Sequence, residues 1–256
     1  MKEHARARRA SARRSTPRPE PRFTQGVFSA LMPELQKAIA AEGYDTPTPI
    51  QEQCIQHLLD GRDLVGSAQT GTGKTAAFTL PLLQRLSRHR QRPRKGTPRA
   101  LILAPTRELA AQIRASMQTY GRYLRISQLA IYGGVKQFTQ VKTLNRGVDI
   151  LVATPGRLLD LIQQGFIHLN EVEVFILDEG DRMLDMGFLP DIRRVLYHIP
   201  EDRQTLFFSA TMPPKIEALA RNMVEDPVRV SIAPDKPAVE TIDQKVLFVG
   251  KRDKDA

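Results

Sequence analysis

The sequence predicts an α/β fold in which a parallel sheet is covered by helices on both faces, and three observations carry that expectation. Short, continuously apolar runs recur along the chain and alternate with stretches of helical periodicity, the pattern of strands buried on both faces. A glycine-containing turn, Ala68-Gln69-Thr70-Gly71-Thr72-Gly73, leads from the first apolar run into helix-forming sequence through Lys74-Thr75. The unusual polar residues collect just after the apolar runs, at the carboxyl ends of the strands where open α/β sheets bind ligands.

Composition narrows the class. The chain has 256 residues, 41% hydrophobic and 26% charged, ordinary for a globular protein. No window approaches 18 uninterrupted apolar residues and the start lacks an apolar leader, so no membrane partner is expected. The single Cys54 excludes a disulfide framework and a cysteine zinc site, reads as a small core residue and suits a cytoplasmic location. The five histidines form no metal-spaced cluster. Residues 1–22 carry eight basic side chains and two acidic ones, a net +6 within the chain's +10. With no aliphatic side chain larger than Ala after Met1, prolines aside, that stretch is expected to be a disordered basic tail. A nucleic-acid arm, a solubilising tail and, less well given Pro17, Pro19 and Pro21, a mitochondrial presequence all remain open for it.

Taken in order, Leu31, Leu35, Ala38 and Ile39 share one helical face behind Pro33, and Gly43 closes that helix. A stiff turn, Tyr44-Asp45-Thr46-Pro47-Thr48-Pro49, leads into a second helix through Leu59. Leu64-Val65-Gly66 is the first strand, followed by the turn and the helix Ala76 to Leu83. The Pro-, Gly- and Arg-dense stretch 88–99 reads as a basic loop. Further strands are expected at Ala100–Ala104, Leu129–Tyr132, Ile150–Ala153, Val174–Leu177, Thr205–Phe208 and, shorter, Val228–Val230, with helices between them such as Arg107–Tyr120 and Pro190–Leu196.

The chemistry starts at the first turn. A strand, a glycine turn and Lys-Thr at a helix start form a phosphate-binding loop, whose backbone N–H groups cradle phosphate oxygens at a positive helix end. Ala68, Gln69, Thr70, Gly71, Thr72 and Gly73 make the cradle, Lys74 reaches the terminal phosphates, and the Thr75 hydroxyl holds Mg²⁺. Ala68 departs from the strict pattern, which has glycine there. The run Val174-Phe175-Ile176-Leu177 ends abruptly in Asp178-Glu179. Asp178 is expected to hold Mg²⁺ in the outer coordination shell, and Glu179 to polarise the attacking water in phosphoryl transfer.

Asp178-Glu179-Gly180-Asp181, together with the phosphate loop, resembles the signature of the DEAD-box family of ATP-dependent RNA helicases, and the similarity runs over residues 23–250. The resemblance implies a RecA-like domain over 23–235, with ATP and Mg²⁺ as ligands and RNA as a backbone-bound, sequence-independent partner. Gly43 to Gln51 resembles the family's adenine-reading motif, so Gln51 is expected to read the base edge while Phe28, or alternatively Phe23, stacks on the ring. Pro105, Thr106 and Arg107, then Gly133 and Gly134, then Thr154, Pro155, Gly156 and Arg157 match the RNA-backbone motifs. Each offers hydroxyls, backbone N–H groups or a guanidinium that contact phosphate and sugar without reading bases. Ser209 and Thr211 of Ser209-Ala210-Thr211 are expected to bond Asp181 and couple nucleotide state to RNA.

Two departures from the family pattern stand out. Gly180 replaces the family's alanine, and the loss of one methyl is expected to loosen the helix start by roughly 1 kcal/mol or less while activity survives. Residues 236–256 resemble a linker and the first strand of a second RecA-like domain, at which the sequence stops. The arginine fingers of that domain, worth a factor of roughly 10³–10⁵ in related reactions, are therefore expected to be missing. The chain should be a monomer that binds nucleotide and turns ATP over slowly. A stand-alone nucleotide-dependent RNA-binding or regulatory module is the second reading; a DNA-directed helicase fits the motif set less well.

Overall fold

In the computed structural model Phe23 and residues 25–232 are described; the basic tail at 1–22 and the second-domain segment at 236–256 lie outside them. Every expected strand is present, as β1 (Leu64–Ser67), β2 (Ala100–Leu103), β3 (Gln128–Ile131), β4 (Ile150–Ala153), β5 (Val174–Leu177), β6 (Gln204–Ser209) and β7 (Val228–Ser231). They form one sheet in the order β3-β4-β2-β5-β6-β1-β7, and every neighbouring pair is parallel.

The helices divide between the two faces in chain order. After a short 3-10 turn at Val27–Ala30 come α1 (Pro33–Ala41), α2 (Pro49–Leu59), α3 (Lys74–Arg88) and α4 (Arg107–Tyr120). Their apolar side chains pack with Leu64, Ile102, Val152, Ile176 and Phe208 in one core layer. The later helices α5 (Gln137–Leu144), α6 (Pro155–Gln163), α7 (Gly180–Asp185), α8 (Leu189–His198) and α9 (Pro214–Arg221) pack with Val65, Leu101, Leu151, Phe175, Leu177 and Phe207 in the other. Alternation of side chains along each strand supplies both layers. The division follows from right-handed crossovers. From β1 to β3 the chain steps one way across the sheet, and from β3 to β7 it steps back, so its helices change face.

That reversal positions the site. The loops after β1 and β2 turn to one face and those after β5 and β6 to the other, so crevices open between β1 and β6 and between β2 and β5. Phe207 and Phe208, successive residues of β6, point to opposite faces, and each is seated over a glycine. A methyl at Gly66 would fall 2.6 Å from Phe208 Cδ1, and one at Gly180 would fall 2.6 Å from Phe207 Cζ. Cys54 is buried as expected, and burial pushes its thiol up to about 12, so it packs as an inert core group.

Candidate functional site

The phosphate loop connects β1 to α3 and has the layout read from the sequence. Gly71 and Gly73 take positive φ, which a side chain would oppose. Ala68 does not: its N–H bonds the Ser209 carbonyl at 3.1 Å and its φ is not positive, so nothing at that position requires the glycine of the strict pattern. Lys74 is 6% exposed, and its Nζ donates to the Ala68 carbonyl at 2.8 Å, across the mouth of the loop. Gln51 lies against the loop from α2. Its Nε2 donates to Gly73 O at 3.3 Å, and its Oε1 accepts from Thr48 N at 3.0 Å.

Asp178 and Glu179 leave β5 beside this loop. Asp178 is 2% exposed; its N–H bonds Leu103 O at 3.1 Å, and its carboxylate accepts from Glu179 N, 3.0 Å to Oδ1. Burial raises its pKa to about 6 although Lys74 opposes the shift. Glu179 sits in the left-handed region at φ 54, a conformation that costs a non-glycine residue roughly 1–2 kcal/mol. It turns the chain sharply from strand into α7, and Arg182 one turn on holds its Oε2 at 3.3 Å.

Asp181 ties this carboxylate turn to the end of β6. Its Oδ2 accepts from Thr211 N at 2.8 Å and from Thr211 Oγ1 at 2.9 Å, and its own N–H donates to Ser209 Oγ at 3.0 Å. Partial burial works against its charge, but the bonds from Thr211, Ser209 and Arg182 outweigh it and bring its pKa below the usual carboxylate value.

The residues of the site suit a magnesium nucleotide. A Cβ at Gly73 would stand 2.6 Å from Gln51 Nε2, so the glycine keeps open the cradle between the loop and the amide. Asp178 is a buried carboxylate whose charge is under-compensated, which a cation corrects. Among the described residues no three His, Cys, Asp or Glu side chains group as a metal site. Magnesium bound mainly through phosphates and water needs only one or two protein ligands; the Thr75 hydroxyl supplies one, and Asp178 would hold the ion through its water shell.

Three expectations change. Phe28 is 3% exposed within the core and has no free face for a base. Phe23 is the partly exposed aromatic, with its ring edge-on to Phe28 at 5.3 Å between centroids, so burial favours the alternative, Phe23. Gly180 is not a methyl lost from a loose helix start, because Phe207 already fills the space. The Arg157 guanidinium is turned inward: Nη1 donates to Gln140 Oε1 at 3.2 Å, Nη2 to Val135 O at 3.4 Å, and Nε faces Asp160 at 3.5 Å.

The other motifs expected to contact RNA meet at the carboxyl ends of β2, β3 and β4. Pro105, Thr106, Arg107, Gly133 and Thr154 line one shallow groove of about 330 Å³, floored by Met186 and Phe188. Thr106 caps α4, its Oγ1 accepting from Leu109 N at 3.2 Å. Gly134 takes φ +78, and Arg107 Nη1 is 3.1 Å from where its Cβ would be. Pro155 and Gly156 form the first turn of α6. The basic loop after α3 lies instead at the amino ends of the strands, and two of its cations are spent on ion pairs, Arg94 with Glu171 and Arg99 with Glu173.

Sequence reading passed over Gln84. Buried in α3, it accepts from Met32 N at 2.6 Å and donates to Ala30 O at 3.1 Å, clamping the segment beyond Phe28 to the phosphate-loop helix. A lone amide inside the apolar run Leu80 to Leu86 was the available signal.

Residues 48–219 match the family model described as DEAD/DEAH box helicase. The chain is 45% identical over 219 residues to DEAD-box ATP-dependent RNA helicase 30 of Oryza sativa subsp. japonica, covering 85% of this chain and 33% of that protein. It is 44% identical over 234 residues to DEAD-box ATP-dependent RNA helicase CshA of Streptococcus pneumoniae, covering 91% and 43%. The fold matches the crystal structure of a DEAD box protein from the hyperthermophile Methanococcus jannaschii with a TM-score of 0.72 at 37% identity, over 78% of this chain and 54% of that one. The chain thus spans between about a third and a half of the length of these relatives.

Proposed function

The chain belongs to the DEAD/DEAH box helicase family, and from that premise we propose that it is the N-terminal ATPase lobe of an ATP-dependent RNA helicase, binding ATP with Mg²⁺ and the RNA backbone so that hydrolysis drives duplex unwinding or remodelling. The observation that carries this reading is the link from Asp181 to Thr211. It joins the carboxylate turn beside the phosphate loop to the strand end between β5 and β1, where a change at the nucleotide can be felt outside it.

In this reading Gln69 to Thr75 hold the phosphates through backbone N–H groups, and Lys74 exchanges the Ala68 carbonyl for a terminal phosphate oxygen. Thr75 and Asp178 hold the metal, which when bound neutralises charge developing on the phosphates. Gln51 gives up its internal partners to read the adenine edge, and Phe23 stacks on the ring. Glu179, aimed by its strained backbone and by Arg182, orients the attacking water and accepts its proton. Thr106, the Gly133-Gly134 turn and the backbone N–H groups at the start of α6 contact RNA phosphates and sugars; Arg157 acts by bracing α6 against α5 and the Gly-Gly loop. A second RecA-like domain is the partner that closes over both ligands and supplies arginine, so the 256-residue chain alone should hydrolyse slowly.

RNA-stimulated ATP hydrolysis by this chain, compared with Glu179→Gln, is the test. Slow hydrolysis that disappears in the variant is expected, with RNA stimulating no less than DNA of equal length. Turnover unaffected by Glu179→Gln, or stimulated only by DNA, would refute the reading.

A further inference from the structure

At the edge of the sheet, β3 pairs only with β4 among the described residues. The carbonyls of Ser127 and Ile131 face β4, accepting from Ile150 N and Thr154 N at 3.1 Å each. Backbone groups of a strand alternate in direction, so the N–H and C=O of Gln128 and Ala130 face outward. They do not face bulk solvent directly. Helices α4 and α5 flank the edge, and a groove of about 410 Å³ runs between them, lined by Arg114 of α4, the outward residues of β3, Tyr132, Lys136, Thr139 and Thr143.

Two side-chain atoms in this groove are buried with no hydrogen-bond partner, Arg114 Nε and Gln128 Oε1. Such atoms cost about 1–3 kcal/mol each when left unpaired, and a donor and an acceptor are both left over here. The lining contains two cations, Arg114 and Lys136, and no carboxylate. Tyr132 borders this groove and also the groove that gathers Thr106, Gly133 and Thr154. The two concavities therefore lie on either side of Tyr132.

We propose that this edge groove is a nucleotide subsite that takes one further residue of single-stranded RNA after the strand passes the Gly133-Gly134 turn. The inference rests on the RNA reading of the carboxyl edge. Arg114 and Lys136 hold the phosphate, Tyr132 meets the base, and Gln128 Oε1 with the outward N–H and C=O groups of Gln128 and Ala130 bond polar atoms of the base or ribose. An added peptide strand would use the same backbone groups. The absence of a carboxylate in the lining, its two cations and the Tyr132 wall shared with the neighbouring groove favour the anionic polymer.

Uridine oligonucleotides of about four to eight nucleotides, titrated against the 256-residue chain, test this, together with hydrogen exchange at the Gln128 and Ala130 amides. Affinity is expected to rise by about tenfold at one step in length, the scale of one stacked base, and the longer RNA should protect both amides. Arg114→Ala and Thr139→Glu, the second an exposed helix position, should remove the step and leave the affinity of the shortest oligonucleotide unchanged. A step retained in both variants, or amides protected by a polyglutamate peptide and not by RNA, overturns the subsite while the RNA reading stands. No binding at any length removes both.

Discussion

Lys74, Asp178, Glu179 and Ser209 are buried at the carboxyl ends of β1, β5 and β6, whereas Arg107, Gly133 and Gly134 at the ends of β2 and β3 are half-exposed or exposed. Three of the first group are held by separate partners: Lys74 by a loop carbonyl, Glu179 by Arg182, and Ser209 Oγ by the Asp181 N–H. The second group sits in an exposed turn and helix start, where Arg107 Nε pairs with Glu108 at 3.1 Å. Buried charges are expensive to keep unless paired, so the nucleotide side is organised around chemistry that needs low dielectric and fixed geometry. On the proposed reading the RNA side needs only shape and donors for a repeating backbone. Single changes should therefore act strongly on the first side and weakly, cumulatively, on the second.

The largest effect is expected for Glu179→Gln. Removing the group that accepts the proton should lower single-turnover hydrolysis by about 10²–10⁴-fold with nucleotide affinity kept, a separation that rapid-quench kinetics and equilibrium titration read independently. Gly180→Ala comes next. With Phe207 in the way, overpacking should destabilise the lobe by about 1–3 kcal/mol in chemical denaturation, and adding Phe207→Leu should recover much of that loss. Additive losses would mean that Gly180 and Phe207 are not coupled.

A pH effect follows from Asp178. Its pKa is about 6 when folded against an ordinary value of 3.8, so the folded lobe binds this proton more tightly than the unfolded chain does. The carboxyl therefore weighs against stability above pH 6, and that penalty shrinks as pH falls from 6 towards 4. Metal binding requires the ionised form, so affinity for Mg-ADP should drop about tenfold between pH 7 and pH 5. Asp178→Asn should bind Mg-ADP more weakly and without that slope, and a slope that survives the substitution would assign the proton elsewhere. The smallest effect is expected on the RNA side: Arg107→Ala, which removes one exposed cation, should weaken RNA binding only a few-fold and reduce its salt dependence by about one charge.

The strands and the phosphate loop were legible because local pattern decides them: continuous apolar runs, glycines at positive φ, and acids placed where a buried strand ends. What was not legible depends on partners distant in the chain. Gly180 read as a missing methyl because Phe207, which fills its place, belongs to another strand. The sequence put Phe28 ahead of Phe23, but a sequence is blind to which ring the core absorbs. Arg157 carried the sequence signature of a phosphate contact, yet Gln140 and Asp160 claim its guanidinium. Ala68 read as a departure until the backbone showed a conformation that alanine adopts without strain.

Binding of Mg-ADP to the 256-residue chain by titration calorimetry, with Lys74→Ala, Phe23→Ala and the wild-type side by side, probes the nucleotide side most directly. We expect saturable one-to-one binding by the wild-type chain, loss of most affinity in Lys74→Ala, and a smaller loss in Phe23→Ala that leaves thermal stability intact. Equal affinity in the wild-type chain and Lys74→Ala would mean that the loop after β1 does not hold the phosphates, and the nucleotide site would have to be sought elsewhere on the sheet.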